Sequence, residues 1–153
     1  MSTPDDTTTL MTKVLLPRRR DDVLTRQRLL NGLYDMVDYR LALVSAPAGY
    51  GKTTLLVDFA TDLEHPVCWY ALDASDRDPR VFLERLVASL RHRFPGFGSE
   101  TLRALAASTD LGGGAPGVLR VLVNEIVLTI PRWFVLVLDD YHAITNQSIH
   151  TLL

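Results

Sequence analysis

Residues 41–60 read LALVSAPAGYGKTTLLVDFA, and this stretch decides the fold. Leu41–Ser45 is a short, almost wholly apolar run that fits a strand buried on both faces. Leu55, Leu56, Phe59 and Ala60 share one helical face, which predicts a helix from near Gly51 to about Leu63. Between them, Ala46-Pro47-Ala48-Gly49-Tyr50-Gly51-Lys52-Thr53 matches the pattern G-x-x-x-x-G-K-[ST] at every required position except the first. There Ala46 stands for glycine, and its Cβ limits the backbone. Gly49 and Gly51 let the chain turn so that successive N–H groups point into one concavity. The N-terminus of the following helix favours an anion at the same place. Such a concavity grips phosphate oxygens; Lys52 can bridge a β- and a γ-phosphate, and the Thr53 hydroxyl can ligate Mg²⁺.

Further along the chain, Phe134–Leu138 (FVLVL) predicts a second fully buried strand, ending in Asp139-Asp140. A phosphate-loop NTPase needs an acidic residue at the tip of a neighbouring buried strand to hold the Mg²⁺ shell. Asp139 occupies that position, and Asp140 is placed to orient or activate water. The plainer alternative is that the two aspartates only end a strand and cap a turn.

Val67–Leu72 (VCWYAL) is β-branched and aromatic and predicts another strand. Thr25 can cap a helix carrying Leu29, Leu30, Leu33 and Val37. Asp78-Pro79 starts a helix with Leu83, Leu86, Val87 and Leu90 inward, ending near the turn at residues 94–98. Further helices are expected over Glu100–Ala107 and Val118–Ile130, and a last one begins within residues 146–153. Strands alternating with helices imply an α/β fold with a mainly parallel sheet. Residues 1–12 carry little to bury and read as a disordered tail, with 13–153 expected to be the N-terminal part of a domain that this sequence leaves incomplete. Arg18–Asp22 reads as a solvated, self-neutralising charge cluster.

Composition sets the outer limits. The chain has 153 residues, 47% apolar and 22% charged, with a net charge of −2. That excludes a basic nucleic-acid module as the default reading. A single cysteine, Cys68, excludes a disulfide framework and a four-cysteine metal site. Val121–Leu138 is interrupted by Asn124, Glu125, Pro131 and Arg132, unlike a membrane helix. The first ten residues lack a basic region followed by an apolar core, so the expectation is a cytoplasmic protein. Only Lys13 and Lys52 are lysines among the 16 basic residues.

Gly112–Gly117 (GGGAPG) imitates a dinucleotide fingerprint, with Asp139 at a strand end beyond it. The strand that must precede such a fingerprint is missing, so a flexible linker is the better reading. His65, His92 and His150 show no ligand spacing. His142 could face a nucleotide or lie in a surface loop. Cys68, Trp69, Tyr70 and Trp133 read as packing residues.

The segments APAGYGKTTLLVDFA (46–60), WYALDASDRDPRVFLERLVASL (69–90) and FVLVLDDYHAITNQSIH (134–150) resemble the N-terminal ATPase domain of STAND signal-transduction NTPases. The likeness runs from about Val14 to Leu153 and is to the large LuxR-type, maltose-activator-like bacterial transcriptional regulators in particular. It implies a P-loop NTPase three-layer sandwich, here truncated after the Walker B strand, with ATP and Mg²⁺ as ligands. Ala48, Gly49, Tyr50, Gly51, Lys52, Thr53 and Thr54 would contact the nucleotide and Asp139 and Asp140 would be the Walker B pair, with Thr53 and Asp139 at the metal. The segment around Arg18 to Arg28 would lie near the base. In that family ATP and an inducer drive self-association, and DNA is bound by a C-terminal domain that lies outside this sequence. The family also places a further strand beside the phosphate-loop strand, so Leu41–Ser45 and Phe134–Leu138 are expected to keep open edges, with Ile149, Leu152 and Leu153 exposed. Two other functions fit the loop: a small-molecule kinase, for which Arg91 and Arg93 are possible lid arginines, and a non-catalytic scaffold with a degenerate site.

Overall fold

A computed structural model describes residues 11–109, 111 and 116–153. The chain divides into two compact units, Leu16–Glu64 and Met1–Leu15 with His65–Leu153.

The larger unit is built on two strands, β1 (Val67–Ala71) and β2 (Val135–Asp139), paired in parallel from Val67 opposite Val135 to Ala71 opposite Asp139. Hydrogen bonds from Val135 N to Pro66 O (2.9 Å) and from Leu72 N to Asp139 O (3.0 Å) extend the pairing at both ends. Parallel strands need a long crossover. Here it holds a 3-10 turn (Ala74–Arg77), α3 (Pro79–Arg93), α4 (Ser99–Ala107) and α5 (Pro116–Thr129). These follow the two helices of the smaller unit, α1 (Gln27–Tyr34) and α2 (Lys52–Asp62). Asp78 caps α3 as expected, accepting from the N–H groups of Arg80 (2.8 Å) and Val81 (3.1 Å). Leu83, Leu86, Val87 and Leu90 are buried with Cys68, Tyr70, Leu72, Phe82, Phe97, Leu105 and Leu122 in one core. Tyr70 and Phe82 stack at 5.6 Å between ring centroids.

Two buried carboxylates tie this unit together. Asp76 accepts from Lys13 Nζ (2.6 Å), Tyr70 Oη (2.8 Å), the Asp73 N–H (2.8 Å) and Arg85. Burial alone would raise its carboxyl, but the bonds from Lys13, Arg85, Asp73 and Tyr70 outweigh this and hold it below the usual aspartate value. Glu125, on α5, accepts from the N–H groups of Gly98 (2.9 Å) and Thr101 (2.9 Å) and from the Thr101 hydroxyl (2.6 Å). It thereby satisfies the first turn of α4. Burial opposes its charge; the Thr101 and backbone bonds prevail and lower its pKa.

β2 is followed by a second 3-10 turn (Tyr141–Ala143) and by α6 (Gln147–His150), whose N-cap is Asn146. Ile149 was expected to be exposed and is instead fully buried in the core, because the turn of α6 directs it inward; Leu153 is exposed. Residues 11–14, partly assigned to the tail, form a helical turn with Val14 and Lys13 buried. Gly112–Ala115, read as a linker, and the tail residues 1–10 lie outside the described residues.

In the smaller unit the aromatic rings of Tyr34 (α1) and Phe59 (α2) meet at 5.4 Å. Two expectations fail here. Leu41–Ser45 forms no strand: the segment is irregular, and Leu41 and Leu43 are each 83% exposed. An apolar run becomes a strand only when a neighbour accepts its backbone hydrogen bonds, and among the described residues the ladder is β1–β2 alone. Thr25 does not cap α1 either; the N-cap position is Arg26, with no side-chain cap. Arg19, placed in a solvated cluster, pairs with Asp58 (2.9 Å), a buried residue of α2, and with Asp62 (3.1 Å).

Gly98 combines φ +93° with a Cβ position 2.1 Å from Val87 Cγ1. Gly98→Ala is expected to destabilise the larger unit by about 2–4 kcal/mol, adding left-handed strain to overpacking; urea denaturation checks it. Acid should act on the two carboxylates. Because folding lowers their pKa values, their stabilisation is complete above the ordinary carboxylate values and is lost as pH falls. The melting temperature is expected to drop below pH 4.5, the ordinary glutamate value, and Glu125→Gln should flatten part of that drop.

Candidate functional site

The loop Ala46–Lys52 joins the irregular segment to α2 within the smaller unit. Gly49 (φ +80°) and Gly51 (φ +73°) both adopt the left-handed conformation, which residues with a Cβ take up only at a cost. Gly51 is the N-cap of α2, so Lys52 and Thr53 open the helix at its positive end. Lys52 Nζ donates to the carbonyl oxygens of Ala46 (2.7 Å) and Pro47 (3.1 Å), curling its side chain back over the loop. Tyr50 is exposed. Thr54, in the first turn of α2, is half-buried.

Arg26 lies in the Arg18–Arg28 segment that the family resemblance puts near the base, and here it reaches the loop itself. Arg26 Nη1 donates to the Tyr50 carbonyl at 2.7 Å, and its guanidinium lies 3.5 Å from the position of a Cβ on Gly51. The resemblance points to the segment as a whole, and spacing alone does not bring Arg26 to residue 50. Beside it, a cleft of ≈ 40 Å³ is lined by Val23, Leu24, Arg26, Gly51, Thr54, Leu55 and Asp58. That volume suits a few waters and is far below the roughly 300 Å³ of a small-molecule pocket.

The acidic pair lies in the larger unit. Asp139 is the last residue of β2 and is 5% exposed. Asp140 follows with φ +56° and ψ +34°, the one non-glycine residue with positive φ among those described. Its carbonyl accepts from Ala143 N at 2.9 Å, closing the second 3-10 turn. Aspartate and asparagine tolerate this conformation better than other side chains, and such strain collects at functional sites. The exposed His142 ring has Nδ1 3.8 Å from Asp140 Oδ1. Tyr141 Oη and His150 Nδ1 are hydrogen-bonded at 2.6 Å.

The remaining candidates have structural uses. Burial pushes the Cys68 thiol up to about 12, which keeps it protonated and unreactive at neutral pH. Trp69 and Tyr70 are buried, whereas Trp133, expected to pack, is exposed, with its ring 6.3 Å from that of His65. Arg91, a possible lid arginine, donates through Nε to the Phe97 carbonyl at 2.7 Å. Among the described residues no three His, Cys, Asp or Glu side chains gather as metal ligands, and no helix is long and apolar enough to cross a membrane.

Comparison with known proteins adds a relationship. No protein-family model matches the chain. Over 141 residues, 90% of its length, it is 36% identical to the HTH-type transcriptional regulator MalT of Yersinia enterocolitica, and equally so to MalT of Yersinia pestis and Yersinia pseudotuberculosis. The chain spans 15% of the length of these relatives. The match supports the likeness to large LuxR-type regulators read from the sequence motifs.

The backbone at Asp140 makes a prediction independent of ligand. Asp140→Gly and Asp140→Asn should fold with nearly unchanged stability, whereas Asp140→Val should cost about 1–2 kcal/mol. Equilibrium unfolding of the three variants measures this.

Proposed function

We propose that the chain is the ATP-binding, slowly hydrolysing switch segment of a STAND-class signal-transduction NTPase from a LuxR-type transcriptional regulator acting in the cytoplasm. The observation that carries this reading is the loop: two left-handed glycines lead directly into a helix opened by Lys52 and Thr53. Backbone N–H groups and a helix N-terminus together form an anion cradle, and lysine supplies the charge that a polyphosphate needs. The parallel β1–β2 pair, with its helical crossover, is compatible with part of a P-loop three-layer sandwich. Such a sandwich would require Leu41–Ser45 to join the sheet.

In this reading Ala48, Gly49, Tyr50, Gly51, Lys52, Thr53 and Thr54 contact the nucleotide, with Gly49, Gly51, Lys52, Thr53 and Thr54 at its phosphates. Thr53 and Asp139 offer the hydroxyl and carboxylate oxygens that Mg²⁺ takes, and the ion would neutralise phosphate charge. Asp140 would orient the attacking water. Lys52 would exchange its bonds to the Ala46 and Pro47 carbonyls for phosphate oxygens. DNA binding, the inducer and nucleotide-dependent self-association belong to the longer regulator in this reading.

Lys52→Ala removes charge-assisted contacts of roughly 1.5–3 kcal/mol, so ATP affinity should fall about 10- to 150-fold. Asp139→Asn should weaken the Mg²⁺-dependent part of binding, whereas Asp140→Asn should spare binding and lower turnover. Calorimetry and a phosphate-release assay on the folded protein check these outcomes. Unchanged affinity in Lys52→Ala would refute the reading.

A further inference from the structure

The ends of the two strands are joined by side chains to which the nucleotide reading gives no part. Arg77, the last residue of the first 3-10 turn, donates from Nε to the Ala143 carbonyl at 3.1 Å. Asn146 Nδ2 donates back to the Arg77 carbonyl at 2.9 Å. The same Asn146 side chain uses Oδ1 to accept from Ser148 N at 2.9 Å, capping α6. A reciprocal clamp therefore ties the turn after β1 to the turn after β2.

Its base is firm. Asp76, adjacent to Arg77, is fully buried and held by Lys13, Tyr70 and Arg85. Its far side is strained. Asp140 stands in the left-handed conformation between the end of β2 and the clamped turn. The Leu72–Asp139 bond fixes the start of this turn and the clamp fixes its end. Arg77 and Asn146 are both outside the apolar core, so the clamp contributes direction to the backbone more than stability.

We infer that Arg77 and Asn146 are positioning residues for Asp140: by clamping residues 141–146 onto the turn after β1, they set the aim of its carboxylate. The inference about the clamp stands on geometry, and its catalytic consequence rests on the nucleotide reading above.

Asn146→Asp is the discriminating variant, because it keeps the capping oxygen and replaces the amide donor with an oxygen facing the Arg77 carbonyl. Arg77→Met removes the opposite bond. Hydrogen exchange on the natural full-length protein without nucleotide should show the Ala143 and Ile144 amides exchanging about threefold to tenfold faster in both variants. The Leu72, Val135 and Ser148 amides should keep their protection. With Mg·ATP, turnover should fall roughly tenfold or more while affinity stays within about twofold. Unchanged exchange at Ala143 and Ile144 overturns the clamp, and so does a loss of protection that spreads to Leu72 and Val135. Faster local exchange with undiminished turnover, or with affinity falling in proportion, overturns the positioning role. Absence of ATP binding in the unsubstituted protein refutes the nucleotide reading and the catalytic consequence together, while the exchange measurement still decides the clamp.

Discussion

Parallel pairing of two strands cannot be closed by a tight turn, and the larger unit follows from that constraint. With β1 ending at Ala71 and β2 starting at Val135, the chain must leave one end of the ladder and return to the other. The crossover supplies α3, which packs on β1, and α4 and α5, which share one buried core with Cys68, Tyr70 and Leu72. The same geometry brings the carboxyl ends of both strands to one edge. In open α/β sheets that edge is where ligands and acidic residues gather. Asp139 and Asp140 are found there, and so is the turn that carries Asp73 and Asp76.

Charge burial constrains how this unit can pack. An isolated buried carboxylate is costly, and Asp76 and Glu125 each offset that cost with several donors. Asp76 draws those donors from four places in the sequence: Lys13, Tyr70, Asp73 and Arg85. One of the chain's two lysines is thereby committed to structure, and the other opens α2 at the loop. Glu125 works by the opposite route, spending its charge on the orphan N–H groups at the start of α4.

Left-handed backbone marks both the loop of the smaller unit and the turn after β2 in the larger one. At Gly49 and Gly51 it costs little, and the loop can turn its N–H groups into a concavity. At Asp140 it carries a cost, offset by the 3-10 turn and by the contacts that secure the residues after it. The 36% identity to MalT regulators extends over 90% of the chain.

Local features were legible in the sequence wherever short-range physics decides them. The Asp78-Pro79 helix start, the apolar face of α3, the Val67 and Val135 strands and the glycine turn into Lys52 all depend on neighbours within a few residues. Distant partners decided the rest. Leu41–Ser45 reads as a strand by composition, yet strand formation requires backbone partners, and its residues stand exposed. Ile149 reads as an exposed end residue, yet the turn of α6 buries it. The Lys13–Asp76 pair, the Arg26–Tyr50 bond and the Arg77–Asn146 clamp join residues 63, 24 and 69 positions apart. The sequence alone thus determined most of the helices, the two paired strands and the glycine turn into Lys52, because propensity, capping and glycine geometry act locally. Only the tertiary structure decided which polar side chains meet and which apolar run joins a sheet, because hydrogen-bond satisfaction and burial are settled between segments that the sequence keeps far apart.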